Sequence, residues 1–266
     1  MSSNFSVVHP NAKIGNNVEI SPFVTIAEDV VIGDNCWLGS GVCIMNGVRI
    51  GNNVRIFPGA IVGTIPQDLK FVPGKVQTYL EIGDNVTIRE YCTLNIGTEA
   101  NIRTIIKENC LLMAYVHVAH DCIIERNCIL ANNVTLAGHI EIGEFAVLGG
   151  MSAIHQFVKI GEHVMISGGS LVRQDIPPFI KVAREPLSYV GLNSTGLKRR
   201  SFNNERINHI QDIYRYLFVK NTNISLAVEQ IKTKVPYSAD RQRILEFIIN
   251  SERGLVRGFR SINPKS

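Results

Sequence analysis

The sequence predicts a mainly β solenoid, a parallel prism of hexapeptide repeats, followed by a C-terminal α-helical region. Three observations predict it. An aliphatic residue falls at every sixth position from Val8 through Ile14, Ile20, Ile26, Ile32, Leu38, Ile44 and Ile50 to Ile56. Four places after each stands a small or β-branched residue, as at Ala12, Val18, Val24, Val30, Cys36, Val42, Val48, Val54 and Ala60. After about residue 190 the beat gives way to helical spacing. A short period held this long requires stacked coils that bury a continuous core.

Each hexapeptide reads as a short strand and a turn, and three make one triangular coil of 18 residues. Coils stack at the strand spacing of about 4.8 Å. Between Val62 and Ile82 the phase slips by two, 20 residues against 18, so a loop is expected to leave the prism within 63–80. The beat resumes at Ile82, Ile88 and Leu94, then weakens over Ala100–Thr104, where a second, smaller excursion is expected. From Ile106 to Val172 it is unbroken. The prism is expected to end near Val172, before Pro177, Pro178 and Pro186, which a continuing strand would not tolerate. It thus occupies 1–189, and a helical region fills 190–266. In that region Ile207, Ile210, Tyr214, Leu217 and Phe218 share one face, with Asn203 or Asn204 as N-cap. Leu226–Val235 and Arg241–Ile249 read as two further helices.

Bulk properties narrow the function classes. Residues 1–189 hold 13 Lys/Arg against 17 Asp/Glu, and residues 190–266 hold 14 against 6, so the tail is basic. Such a tail is either a solvated face or a surface for an anionic partner. It has no helix-turn-helix signature, and no nucleic-acid partner is expected. No apolar run reaches the ~18 residues of a transmembrane helix, and the start MSSNFSVVHPNAK does not read as a signal peptide. A soluble, cytoplasmic protein is expected. Cys36, Cys92, Cys110, Cys122 and Cys128 all occupy the small inward slot, where free cysteine packs as a small hydrophobe.

The unbroken phase makes sequence position a coordinate, because residues 18 apart stack in one column. His120 lies under Gly138 and then Gln156, and Asp121 lies under His139. His155 adjoins the Gln156 column, so His120, His139 and His155 are expected along one edge within about 10 Å. His117 flanks them. Two chemistries fit three histidines: zinc with a water as fourth ligand, or a general base with substrate-gripping neighbours. Asp121 beside His120 favours the second, since a carboxylate orients an imidazole and stabilises its protonated form. Gly138, lacking a side chain, lets a ligand approach its N–H and is a candidate oxyanion donor. Asn132, Gly150 and Gly168 form a second column, in which the glycines serve either to turn corners or to leave a shallow groove for an extended apolar chain.

Several segments resemble a known family: QDLK at 67–70, HVAHDC at 117–122, ILANNVTLAGH at 129–139, GGMSAIHQF at 149–157 and GLKRR at 196–200. The hexapeptide beat is similar to that of acyltransferases built on a left-handed parallel β-helix. Within them these motifs resemble the UDP-N-acetylglucosamine O-acyltransferases of lipid A biosynthesis, over essentially the whole chain. The resemblance implies transfer of an (R)-3-hydroxyacyl group from acyl carrier protein to the glucosamine 3-hydroxyl of UDP-N-acetylglucosamine, without cofactor or metal. It implies His120 as general base, Asp121 as its partner and the Gly138 amide as oxyanion donor. It assigns His117, His139, His155, Gln156, Asp68 and Lys70 to substrate. Asn193, Arg199 and Arg200 would hold the diphosphate or nucleotide, and the basic tail would suit the acidic carrier protein. Thr195 stands where the family pattern usually has a glutamate. Gly168 matches the position that limits acyl length, and its openness implies a long chain. The resemblance also implies a homotrimer with active sites between subunits.

Three rivals differ in kind. The related N-acyltransferase carries an extra N-terminal domain, and with the beat starting at Val8 none is expected here. A zinc-dependent γ-type carbonic anhydrase shares the prism but would not need Asp121 or the tail. A non-enzymatic scaffold leaves the histidine column without a purpose.

Overall fold

The computed structural model of the chain describes residues 5–220 and 223–258. The first four residues, 221–222, and the last part of the basic helical region, 259–266, lie outside the described residues. The described chain is a left-handed parallel β-helix with a helical tail folded against its last coils. Three sheets of nine, eight and eleven strands form the faces of the prism. Consecutive strands occupy different faces, so neighbours within a face come from successive coils, as in Leu136 beside Ile154.

The hexapeptide pattern explains the interior. Both the aliphatic residue and the small residue four places later point inward, so Ile56, Val86, Ile88, Cys110, Leu112 and Val134 are fully or almost fully buried. Each buried aliphatic side chain contributes about 1.5–3 kcal/mol. The five cysteines of the inward slot are buried, and all six in the chain are free. At the start of the prism Ala12, Ile14, Val18 and Ile20 are only partly buried, as no further coil covers them among the described residues.

Between strands the chain turns through one residue with positive φ, which asparagine tolerates better than most. One corner accordingly carries Asn17, Asn35, Asn53, Asn85, Asn109 and Asn127. The same column then changes to Phe145, His163 and Phe179, which stack on one another and meet Phe202 from the tail. The change marks where the corner stops facing solvent and becomes a docking surface.

Two excursions leave the coils. The long one runs between strands Ile61–Thr64 and Tyr79–Ile82, and the short one between Thr93–Asn95 and Arg103–Ile106. The short one adds six residues to its coil, as Tyr79 pairs with Arg103 and Thr93 with His117, 24 positions apart in each case.

The end of the prism differs from expectation. Ile176 still bridges to Ile160, and strand Ile180–Ala183 pairs in parallel with Met165–Ile166. Strand Ser188–Leu192 then pairs antiparallel to Ile180–Ala183, and strand Arg257–Gly258 pairs in parallel beside it at the edge of that sheet. The prolines do not stop the solenoid at Val172, because they sit between strands, where no ladder N–H is needed. Helical structure therefore begins only after Leu192. It comprises α1 (Ser194–Arg199), α2 (Asn204–Tyr214), a π-helical turn Arg215–Lys220, α3 (Ile224–Lys234) and α4 (Ala239–Ile249). Asn203 is the N-cap of α2, accepting from the Arg206 N–H. The spacing had not revealed α1 or the π-helical turn, both too short for a helical period to show. Tyr214, fully buried, ties the tail to the prism by donating to the Pro178 carbonyl at 2.6 Å.

Candidate active site

The edge that carries His120, Gly138 and Gln156 holds one compact polar cluster. At its centre the Asp121 side chain is fully buried. Its Oδ2 accepts from His120 Nδ1 at 2.8 Å and from the Thr98 hydroxyl at 2.6 Å, while Oδ1 accepts from the Thr98 N–H at 2.8 Å. The Asp121 N–H donates to Thr104 Oγ1. Burial works to raise the Asp121 pKa, but the hydrogen bonds from His120 and Thr98 outweigh it and hold the carboxyl below the usual range.

A carboxylate only accepts, so His120 Nδ1 must carry the hydrogen. Its Nε2 is left with a lone pair that can take a proton, which is the tautomer a general base requires. The imidazole of His120 meets that of His139 edge-on at 5.0 Å, and His139 stacks on Phe157 at 4.6 Å. His139 Nε2 lies 3.6 Å from Asp121 Oδ2. Burial pushes the His139 pKa down and His120 adds to this, against the opposing pull of Asp121 and of Asp68 from the long excursion.

Gly138 is required by its neighbour. A Cβ there would lie 2.5 Å from His120 Cε1 and 2.8 Å from its Nε2. Among the described residues the Gly138 N–H has no hydrogen-bond acceptor. His117 sits one strand away with Nδ1 2.8 Å from Thr93 Oγ1, and burial lowers its pKa. The atoms that converge tightly are therefore two imidazoles and a carboxylate, within 4.8 Å of one another, rather than three imidazoles.

The other expected site residues are spread more widely. Asp68 and Lys70 lie on the long excursion, where Asp68 Oδ1 caps the Lys70 N–H and the Lys70 side chain is exposed. His155 and Gln156 are exposed one coil beyond Gly138, and His155 Nδ1 is 3.0 Å from the Arg253 guanidinium. Asn193, Arg199 and Arg200 lie by the neighbouring corner. Asn193 caps α1 and donates to the His163 carbonyl. Arg200 lies over the Phe145 ring and donates to the Phe145 carbonyl, while Arg199 is exposed. Gly168 is exposed beside Gly150, whose carbonyl oxygen is 3.1 Å from where a Cβ on Gly168 would stand.

Sequence reasoning missed Thr98, Thr104, Phe157 and Arg253. Phe157 was within its reach, standing 18 residues after His139 in the same column. Thr98 falls in the short excursion and Arg253 in the tail, where the period gives no coordinate.

Residues 175–256 match the family described as UDP N-acetylglucosamine O-acyltransferase, domain 2. Residues 29–64 and 103–138 match the bacterial transferase hexapeptide family. The chain is 55% identical over 252 residues to the acyl-[acyl-carrier-protein]–UDP-N-acetylglucosamine O-acyltransferase of a Sulfurihydrogenibium species, covering 94% of this chain and 92% of that one. It is 56% identical over 259 residues to the protein of that name from Chlorobium phaeobacteroides, covering 96% and 97%. Among solved structures, a UDP-N-acetylglucosamine acyltransferase from Bacteroides fragilis superposes with a TM-score of 0.94 at 47% identity, covering 97% of this chain and 100% of that one.

Proposed function

The chain belongs to the UDP-N-acetylglucosamine O-acyltransferases, and we propose that it moves an (R)-3-hydroxyacyl group from acyl carrier protein to the glucosamine 3-hydroxyl with His120 as general base. Acyl transfer from acyl carrier protein to UDP-N-acetylglucosamine opens lipid A biosynthesis. The observation that carries the catalytic reading is the 2.8 Å bond from His120 Nδ1 to buried Asp121, which leaves Nε2 as the basic atom. Nε2 takes the proton of the sugar hydroxyl as its oxygen attacks the thioester carbonyl. The resulting oxyanion is stabilised by the Gly138 N–H. Collapse expels the carrier's thiolate, which recovers the proton from the imidazolium that Asp121 has stabilised.

Asp68, Lys70, His117, His139, His155 and Gln156 orient the sugar and the acyl chain around this centre. Asn193, Arg199 and Arg200 hold the diphosphate or nucleotide, and in one chain they stand by a different corner of the prism from His120. A second copy is needed to bring the two corners together, which supports a homotrimer with sites in the clefts between subunits. The acyl chain follows the column Asn132, Gly150 and Gly168, and the basic tail meets the acidic carrier protein.

Among the described residues no helix is long and apolar enough to cross a membrane. The six free cysteines support a reducing, cytoplasmic setting.

The test is transfer from a panel of (R)-3-hydroxyacyl carrier proteins to UDP-N-acetylglucosamine, with His120→Ala beside the wild type. Transfer that falls about 10²–10⁴-fold in the variant supports the reading. Full activity in the variant would remove His120 as the base. Stoichiometric zinc with CO₂ hydration and no transfer would favour the carbonic anhydrase reading instead.

A further inference from the structure

We propose that Arg253 is a positioning residue that selects the tautomer of His155, and thereby which ring nitrogen offers a hydrogen to the substrate. The proposal rests on the acyltransfer reading only for its consequence in catalysis. The tautomer itself is a property of the unliganded protein.

His155 Nδ1 has two neighbours that make opposite demands. The Arg253 guanidinium is 3.0 Å away and can only donate, so it requires a bare Nδ1. The Gln156 carbonyl is 3.2 Å away and can only accept, so it requires a hydrogen on Nδ1. A neutral imidazole cannot meet both, and a protonated one would set like charges against each other. With Arg253 in place the shorter, charge-assisted bond prevails. The hydrogen then resides on Nε2, which is left to donate to an oxygen of the bound substrate. Without Arg253 the remaining partner draws the hydrogen to Nδ1 and turns Nε2 into an acceptor.

The approach of Arg253 is built into the backbone. Asp175 is fully buried, and its carboxylate accepts from the Lys159 N–H at 2.8 Å, the Ser251 hydroxyl at 2.7 Å and the Arg253 N–H at 3.3 Å. The Asp175 N–H donates to the Gly254 carbonyl, and the Val256 N–H donates to the Asp175 carbonyl. Four of these bonds fasten the segment after α4 to the end of the prism, on the coil next to His155, and the fifth, from Lys159, holds Asp175 itself in place. Removing the Arg253 side chain leaves all of them intact.

The test is ring-¹⁵N-labelled histidine NMR of the wild type, Arg253→Ala and Arg253→Gln, with His155 assigned by its loss in His155→Gln. The wild type is expected to show a bare, pyridine-like Nδ1 and a protonated Nε2. Arg253→Ala is expected to reverse the two and to raise KM for UDP-N-acetylglucosamine about tenfold, as befits one misdirected hydrogen bond, with kcat little changed. Arg253→Gln keeps an N–H donor and is expected to restore the wild-type tautomer. A protonated Nδ1 in the wild type, or an unchanged tautomer in Arg253→Ala, would overturn the proposal. Absence of acyl transfer in the wild type would instead overturn the reading of the site, whatever the tautomer.

Discussion

The imidazole of His120 lies directly against the α-carbon of Gly138, one coil above it, leaving 2.5 Å between Cε1 and the place where any Cβ would stand. The proposed base and the proposed oxyanion donor are thus held in register by contact as well as by strand pairing. Gly138→Ala must push the ring off Asp121 or strain the turn. A fall in kcat of about 100-fold is expected, with the melting temperature little changed. Steady-state kinetics beside a thermal melt would check it, and unimpaired kcat would show that the ring can shift harmlessly.

Thr98 makes two of the bonds that keep Asp121 ionised. Thr98→Val removes the hydroxyl and keeps the N–H, so kcat is expected to fall about tenfold while KM holds. The folded pKa of Asp121 is depressed, so its contribution to stability is full above the unfolded value of about 3.9 and is lost as pH falls through the folded value. In Thr98→Val that loss is expected to be complete at a higher pH. Melting temperatures between about pH 6 and 2 would reveal the difference.

His163 is buried among Phe145, Phe179 and Phe202, and its Nδ1 has no hydrogen-bond partner among the described residues. Burial, assisted by Arg200, pushes its pKa down to about 4. The unfolded chain, at about 6.5, binds the proton first. His163 therefore costs no stability from this source above about pH 6.5 and an increasing amount as pH falls toward 4. His163→Phe should abolish that slope and relieve an orphaned polar atom, worth about 1–3 kcal/mol. Denaturant midpoints at pH 7 and pH 5 would test both parts.

Gly168 is exposed on the groove that the acyl chain is proposed to follow. Gly168→Met fills it, and a shift of preference toward shorter (R)-3-hydroxyacyl donors is expected. Unchanged selectivity across the donor panel would remove Gly168 as the limit.

The boundary between what was legible in the sequence and what was not follows the boundary of the repeat. Inside the unbroken run from Ile106 to Val172, a local rule repeated every six residues turns number into position. The numbers alone place His120, Gly138, Asp121 and His139 on one edge and the inward cysteines in the core. Outside the run, position depends on contacts between segments far apart in the chain. Thr98 reaches Asp121 from an excursion, Arg253 reaches His155 across 98 residues, and the prism continues past Val172 because its prolines fall between strands. The solenoid and the columns of its edge follow from the repeat alone, because hydrogen bonding between like coils leaves one register for an inward aliphatic face. The donors around the buried Asp121 carboxylate were settled by tertiary contacts instead, because Thr98 belongs to a non-repeating segment held there by individual bonds.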